Sequence, residues 1–331
     1  MALIRSGRDA DSPGVIALIS HCWADYNYVL DVEGDAPGLL APAAYYAAQG
    51  GALWIAEDSG DVTGMIAAVP RDTGAWEVCR VYVHPGRHGT GLAHRLLDTA
   101  EAHALTAGAT RLLLWTDTQF DRAHRYYEKR SYVRTGPIRM LESDPGVLEF
   151  GYAKPVDGVA VLDAAAAASA VRRLSDILVA CVNGGGSVSH LPPLAPTAAQ
   201  EHMRAVASGV AQGRCVLLGA WSRGVLAGMV RLQLDAPPNQ RHRAEMTDLL
   251  IHPDFRRRGL ATRLMHAGEA EAARAGRTLL TLNAEAGGAA VQLCARLGWT
   301  VAGEIPGYAV GADGLPVAAA ILFKLVAGNR A

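Results

Sequence analysis

Leu249-Leu250-Ile251-His252-Pro253-Asp254-Phe255-Arg256-Arg257-Arg258-Gly259-Leu260-Ala261 is the stretch that decides the fold. An apolar strand-like run ends at a His-Pro corner, a basic loop with a glycine follows, and a helix-like run begins. The same pattern occurs earlier as Val81-Tyr82-Val83-His84-Pro85-Gly86-Arg87-His88-Gly89-Thr90-Gly91-Leu92-Ala93, with the two His-Pro pairs at 84 and 252, an offset of 168 residues. At such a corner main-chain N–H groups and a helix N-terminus converge on one point, which is an anion site. The chain builds it twice.

The repeat extends outward from both corners. Glu77 and Glu245 stand at the same offset. Upstream, Ala52–Ala56 turns at Asp58-Ser59-Gly60-Asp61 into Met65–Val69, and Cys215–Ala220 turns at Ser222-Arg223-Gly224 into Met229–Leu232, two hairpin patterns. Downstream, Leu92, Leu96, Ala100 and Ala104 share one helical stripe, as do Leu260, Leu264 and Ala267, and Gly108 and Gly276 stop the two helices. Short apolar strands follow at Arg111–Trp115 and Leu279–Leu282, then a second helix and a final strand after Tyr132 or Trp299. Each half therefore reads β-β-β-α-β-α-β with one or two helices in front. The boundary falls in Tyr152–Gly158, which predicts domains at residues 1–155 and 156–331. The Ala-rich run from Asp163 continues with helical spacing and reads as the first helix of the second half. Gly184–Pro193 and Pro237–Arg243 carry too many breakers for regular structure and read as substrate-facing loops.

Composition limits what the two sites serve. The 331 residues are 50% hydrophobic with a formal net charge of −1. That argues against disorder, a nucleic-acid partner and a basic membrane-surface protein. Each half is long enough to enclose its own core. No run is apolar enough to span a bilayer, and the N-terminus does not read as a leader. Cys22, Cys79, Cys181, Cys215 and Cys294 are odd in number and lack metal-type spacing, which predicts reduced thiols in a cytoplasm and no metal site. Oligomeric state is not legible.

These residues resemble the GNAT acetyltransferase superfamily. The strand, His-Pro corner, loop and helix look like its motif A, whose loop reads Arg/Gln-x-x-Gly-x-Gly/Ala, and Arg256–Ala261 matches it in full. Ala123-His124-Arg125-Tyr126-Tyr127-Glu128-Lys129-Arg130-Ser131-Tyr132 is similar to its motif B. Leu174–Leu325 resembles more narrowly the tabtoxin-resistance type, through Ser187-Val188-Ser189, Leu191–Leu194, Pro238-Asn239-Gln240, Gly276–Leu280 and Ile305–Tyr308. The resemblance implies an α+β fold of two consecutive GNAT-like domains, each a mixed, mostly antiparallel sheet with a splayed central strand pair flanked by helices. It also implies acetyl-CoA as acyl donor.

Under that resemblance, main-chain amides at His88, Gly89, Thr90, Gly91, Leu92 and Ala93, and at Arg256, Arg257, Arg258, Gly259, Leu260 and Ala261, hold the pyrophosphate. Val81, Tyr82 and Val83, or Leu249, Leu250 and Ile251, pair with the pantetheine amides. An acceptor ammonium needs a base, for which Glu77 is placed, and the leaving thiolate needs an acid, a position held by Tyr127. In the second half Glu245, Asp248 and His242 compete as base, and Cys294 stands where the family has tyrosine. His88 replaces the loop arginine in the first half. Losing one charge there costs about 1 kcal/mol of cofactor affinity, whereas losing a positioned acid costs about 100-fold in rate, so the first half is expected to carry the chemistry. Trp23-Ala24-Asp25-Tyr26-Asn27-Tyr28 is expected to shape a pocket for a cationic amine.

Each residue also has a plainer reading. Tyr127 can pack on the sheet, Glu77 can be a surface carboxylate, and His84 and His252 can cap turns. Arg256–Arg258 can be a solvated face with only some members on the ligand, and Cys294 a buried small hydrophobe. The function expected is N-acetylation of a primary amine on a small amino-acid-like, toxin-like or antibiotic-like molecule. The alternatives are a coenzyme A-binding structural or sensing module and a protein N-terminal or lysine acetyltransferase.

Overall fold

A computed structural model describes residues 2–24, 26, 28–32, 37–72, 74–141, 146–186 and 188–326. The chain divides into two compact units, one of Met1–His124 and Gly136–Val156, the other of Arg125–Thr135 and Asp157–Ala331. The first half contains β1 (Leu3–Ser6), α1 (Ser12–Ala24), α2 (Pro42–Ala48), β2 (Ala52–Asp58), β3 (Asp61–Pro70), β4 (Ala75–Val83) and α3 (Leu92–Thr106). It continues with β5 (Arg111–Asp117), α4 (Asp121–Lys129), β6 (Val133–Arg134), β7 (Arg139–Met140) and β8 (Leu148–Pro155). The first unit's sheet runs β1-β2-β3-β4-β5-β8 with β7 beside β8. Among the described strands, β4 and β5 are the only parallel neighbours within it.

The second unit repeats the plan with β9 (Gly158–Leu162), α5 (Ala164–Asn183), α6 (Pro196–Ala211), β10 (Cys215–Ser222), β11 (Val225–Gln233) and β12 (Arg243–Ile251). Then come α7 (Leu260–Arg274), β13 (Leu279–Glu285), α8 (Ala289–Arg296), β14 (Thr300–Val310) and β15 (Pro316–Leu325). The sheet order is β14-β15-β13-β12-β11-β10-β9, and among the described strands only β12 and β13 are parallel. Both units are mixed α+β sheets flanked by helices. The Ala-rich run forms α5, whose first turn is held by Asp163 Oδ1 accepting the Ala166 N–H at 2.9 Å. The leading strands β1 and β9 were not expected. Each is four or five residues long and takes its place by pairing with β2 or β10, information absent from its own pattern. The loop expected at Pro237–Arg243 contains a single 3-10 turn, Pro238–Gln240, and Arg243 already belongs to β12.

The parallel pair in each unit is joined only at one end. Ala75, Trp76 and Glu77 pair with Arg111, Leu112 and Leu113, and no further pairing of β4 with β5 occurs among the described residues. In the second unit Arg243, Ala244 and Glu245 pair with Leu279, Leu280 and Thr281. A bulge on the opposite edge goes with the splay. Ala67 faces Cys79 but Met65 faces Tyr82, so β4 holds one residue more than β3 over this span, and Arg80 adopts φ +55°. The same slip recurs between Arg231–Thr247 and Met229–Leu250, with Asp248 at φ +51°.

The bulge turns the strand over. Ala244 and Met246 pack with α7, and beyond the bulge Leu249 and Ile251 do so, while Leu250 joins the core under α5 and α6. That second core includes Val133 and the fully buried Trp221, whose Nε1 donates to the Ser131 carbonyl at 3.0 Å. Trp221→Phe removes the donor and leaves both a void and a buried carbonyl. The expected loss is about 2–3 kcal/mol in the unfolding free energy of the second unit, read by denaturant titration. A loss below about 0.5 kcal/mol would show that Ser131 is not held this way.

Candidate cofactor and active site

Each corner has the same backbone built from different residues. Gly91 and Gly259 open α3 and α7 in the left-handed region, at φ +80° and +74°. Two residues earlier, Gly89 (φ +77°) and Arg257 (φ +64°) adopt it as well. His84 Nδ1 accepts the Gly86 N–H at 3.1 Å, and His252 Nδ1 accepts the Asp254 N–H at 3.3 Å. Burial and the nearby Arg173 hold His252 below the usual imidazole range, which suits an accepting nitrogen. Both histidines therefore fasten the corner.

His88 occupies the place of Arg256 and makes the same contact. Its Nε2 lies 3.0 Å from the Val83 carbonyl, as Arg256 Nε donates to the Ile251 carbonyl at 3.3 Å. Arg122 Nη1 approaches His88 Nδ1 at 2.8 Å, so Nδ1 accepts and Nε2 carries the proton toward Val83. Arg122, at the start of α4, thus returns a positive charge to the loop that lacks its arginine. Sequence reasoning missed it because no motif marks it. Its signal is the Asp121-Arg122 helix start directly before the Ala123–Tyr132 motif. Arg87 pairs with Asp58. Arg256, Arg257 and Arg258 are all exposed, with Arg258 above the Phe255 ring at 5.1 Å.

Val81–Val83 and Leu249–Ile251 lie beyond the bulges, on the parts of β4 and β12 that have left their parallel partners. Glu77 and Glu245 are the last paired residues before each splay. Glu77 Oε2 meets Arg71 Nε at 2.6 Å, and Arg71 Nη1 donates to Gln49 Oε1 at 3.3 Å. Glu245 Oε1 accepts from Asn283 Nδ2 at 3.2 Å. Tyr127 is buried, its ring 5.2 Å from Tyr126 and 6.0 Å from Tyr132, in the Arg125–Thr135 segment that clusters with the second unit. Cys294 is fully buried, and burial, reinforced by Glu269, pushes its thiol up to about 11. The thiols of Cys79, Cys181 and Cys215 are likewise raised by burial.

The end of α1 and the segment after it tie both strands of the first splayed pair together. Trp23 Nε1 donates to Tyr82 Oη on β4 at 3.1 Å, and Tyr28 Oη donates to Asp117 Oδ2 on β5 at 3.0 Å. Tyr26 packs against Phe120 at 4.4 Å. Asp25 and Asn27, in the expected amine pocket, lie outside the described residues, as does Ser187. Asp117 is a buried carboxylate that sequence reasoning passed over. It also accepts the Gln119 N–H at 2.8 Å. No group of three or more potential metal ligands occurs among the described residues, and none of their helices is long and apolar enough to cross a membrane.

A Cβ built at Gly89, Gly91 or Gly259 meets nothing within 4 Å. The glycines are thus needed for backbone conformation and not for space within the chain. Gly91→Ala is expected to cost about 1 kcal/mol, all of it left-handed strain, in a denaturant titration. A loss above about 3 kcal/mol would mean that the new methyl meets a wall the structure lacks.

Comparison with known proteins follows the same doubling. The model of the acetyltransferase (GNAT) family matches residues 17–132 and 189–299. An uncharacterised N-acetyltransferase of Mycobacterium tuberculosis is 32% identical over 85 residues, 26% of this chain and 54% of that protein. An IAA acetyltransferase of Azospirillum brasilense is 34% identical over 92 residues, 28% of this chain and 60% of that protein. The chain thus spans about half the length of the first of these relatives and somewhat more of the second. Among solved structures, an acetyltransferase of Streptococcus agalactiae covers 46% of this chain and 98% of its own at 18% identity and a TM-score of 0.42. A Salmonella typhimurium protein of this type, solved with its cofactor acetyl-CoA, covers 53% of this chain and 97% of its own at 17% identity and a TM-score of 0.45. With the family's model matched once in each half, over more than half of its length, the chain belongs to the GNAT acetyltransferase family.

Proposed function

We propose that this chain is an acetyl-CoA-dependent N-acetyltransferase acting on a primary amine of a small molecule, with the chemistry carried mainly by the first half. The observation that carries the reading is the doubled corner beside a splayed strand pair. The N–H groups of Gly89, Gly91 and Gly259 have no acceptor among the described residues, and each corner stands at the positive, N-terminal end of α3 or α7. Such a cradle fits the diphosphate of coenzyme A. When bound, acetyl-CoA supplies an activated acetyl thioester.

His88–Ala93 and Arg256–Ala261 then hold the phosphates through main-chain amides, with Arg122 and exposed members of Arg256–Arg258 adding charge. Val81–Val83 and Leu249–Ile251 offer the freed strand edge to an extended amide arm. Glu77 accepts the proton of the incoming ammonium, a role that rests on its place where β4 parts from β5, and Tyr127 Oη donates one to the departing sulfur, a role that rests on the motif match. In the second half a buried thiol held near 11 replaces that tyrosine, which favours slow turnover or cofactor binding alone there. The likeness of the second half to the tabtoxin-resistance type supports an amino-acid-like, toxin-like or antibiotic-like acceptor. Trp23, Tyr26 and Tyr28 with Asp117 offer an aromatic and acidic setting for its amine. Five free cysteines support a reducing cytoplasm.

The test is a thiol-release assay on the full chain with a panel of small amines. Tyr127→Phe is expected to lower kcat about 100-fold while the KM for acetyl-CoA stays within about twofold, and Cys294→Ala to leave both nearly unchanged. The reverse pattern would move the chemistry to the second half. Glu77→Gln is expected to lower kcat/KM at neutral pH about 10–100-fold, with partial recovery as rising pH deprotonates the amine unaided. A pH profile parallel to the unaltered protein would remove Glu77 as the base.

A further inference from the structure

A cavity of about 310 Å³ opens in the second unit, lined by His202, Arg214, Cys215, Arg231 and Gln233 together with apolar residues of α6. Its polar lining contains donors and no acid. Arg231 Nε faces Asp248 Oδ2 at 2.9 Å and donates to Thr247 Oγ1 at 3.0 Å, which leaves both terminal Nη groups without a partner among the described residues. The Arg214 side chain and the Gln233 amide have none either. His202 Nδ1 meets His190 Nε2 at 3.3 Å, but its Nε2 is buried without a hydrogen bond and stands 3.9 Å from Asp248 Oδ2.

The first unit provides an internal control. Arg231 faces Thr247 across the sheet, and the matching position facing Cys79 is Ala67. Gln233 faces Glu245, and the matching position facing Glu77 is Val69. Ala67 and Val69 are both fully buried apolar residues. The second unit has thus placed a guanidinium and an amide where its sibling keeps ordinary core. An arginine in that position is costly to desolvate unless something answers its charge, and Asp248 answers only the Nε edge. The remaining Nη pair is a planar fork whose geometry matches a carboxylate held bidentately.

We infer that this cavity of the second unit binds a small molecule through its carboxylate, gripped by Arg231 and Arg214 with Gln233 as a further hydrogen-bond partner and His202 as part of the wall. The volume suits an amino-acid-sized ligand. Because Gln233 is the cross-strand neighbour of Glu245, the pocket adjoins the strand that bounds this unit's own splayed cleft. The inference goes beyond the transferase reading and needs no acetyl transfer.

Calorimetric titration of the full chain, free of acetyl-CoA and at matched ionic strength, tests it with succinate, its neutral isostere succinamide, and inorganic phosphate. Succinate is expected to bind at least about tenfold more tightly than succinamide. Arg231→Gln is expected to weaken succinate about tenfold or more, and Arg214→Gln, on the exposed rim where folding is not at stake, about threefold or more. Equal binding of succinate and succinamide would overturn the inference, as would succinate affinity unmoved by Arg214→Gln. Phosphate displacing succinate with the tighter Kd would overturn the carboxylate assignment. A failure here leaves the thiol-release result untouched, and a chain that transfers no acetyl group can still pass.

Discussion

An extra residue in the fourth strand of each half, at Arg80 and at Asp248, divides a continuous sheet into a paired part and a parted part. Below it, three residues join the parallel neighbour through main-chain bonds. Above it, the strand has turned over and left its partner, so that a row of backbone N–H and C=O groups faces an opening. An unpaired strand edge inside a folded domain is costly unless a ligand completes it. That is why the bulge, the open cleft and the helix N-terminus at the strand's end form one construction. The cleft needs the strand to part, and the corner stands where the parted strand ends.

The two corners show how loosely residue type is coupled to such a backbone. A left-handed residue is required two positions before each helix start, yet one half uses Gly89 and the other Arg257. The strand-end carbonyl needs a donor, yet one half uses an imidazole and the other a guanidinium. Exchanging arginine for histidine keeps the hydrogen bond and loses the charge, and Arg122 arrives from another element to restore it. The bulge residues differ more sharply. Arg80 meets the hydroxyls of Tyr46 and Tyr82, whereas Asp248 meets Arg231 and approaches His202, so the same backbone slot has opposite sign in the two halves.

Much of the architecture was legible because it rests on local pattern. The strand, corner and helix at 81–93 and 249–261 carry their own periodicity and turn residues, and their repetition at one offset identified the duplication. Less legible was anything fixed by a partner distant in sequence. The strands Leu3–Ser6 and Gly158–Leu162 are too short to announce themselves. Arg122, Asp117 and the pocket residues Arg214, Arg231 and Gln233 gain meaning only when strands and helices bring them beside His88, Tyr28 or one another. Glu77 was found by its offset from Glu245, but its ion pair with Arg71 depends on where β3 ends, which no short-range signal encodes.

The buried thiols affect how this protein behaves toward electrophiles. Four of the five cysteines sit where desolvation holds the sulfur protonated, with Cys79 pushed up to about 12 and Cys294 to about 11. Disulfide-exchange reagents and maleimides attack the thiolate and need access to it. In the folded chain Cys181, Cys215 and Cys294 are closed to such reagents, which leaves the half-buried Cys22 and Cys79 as the slow targets. A colorimetric reagent added to a working reaction would register liberated coenzyme against a quiet protein background, and a rise in that background would signal that the fold itself has begun to open.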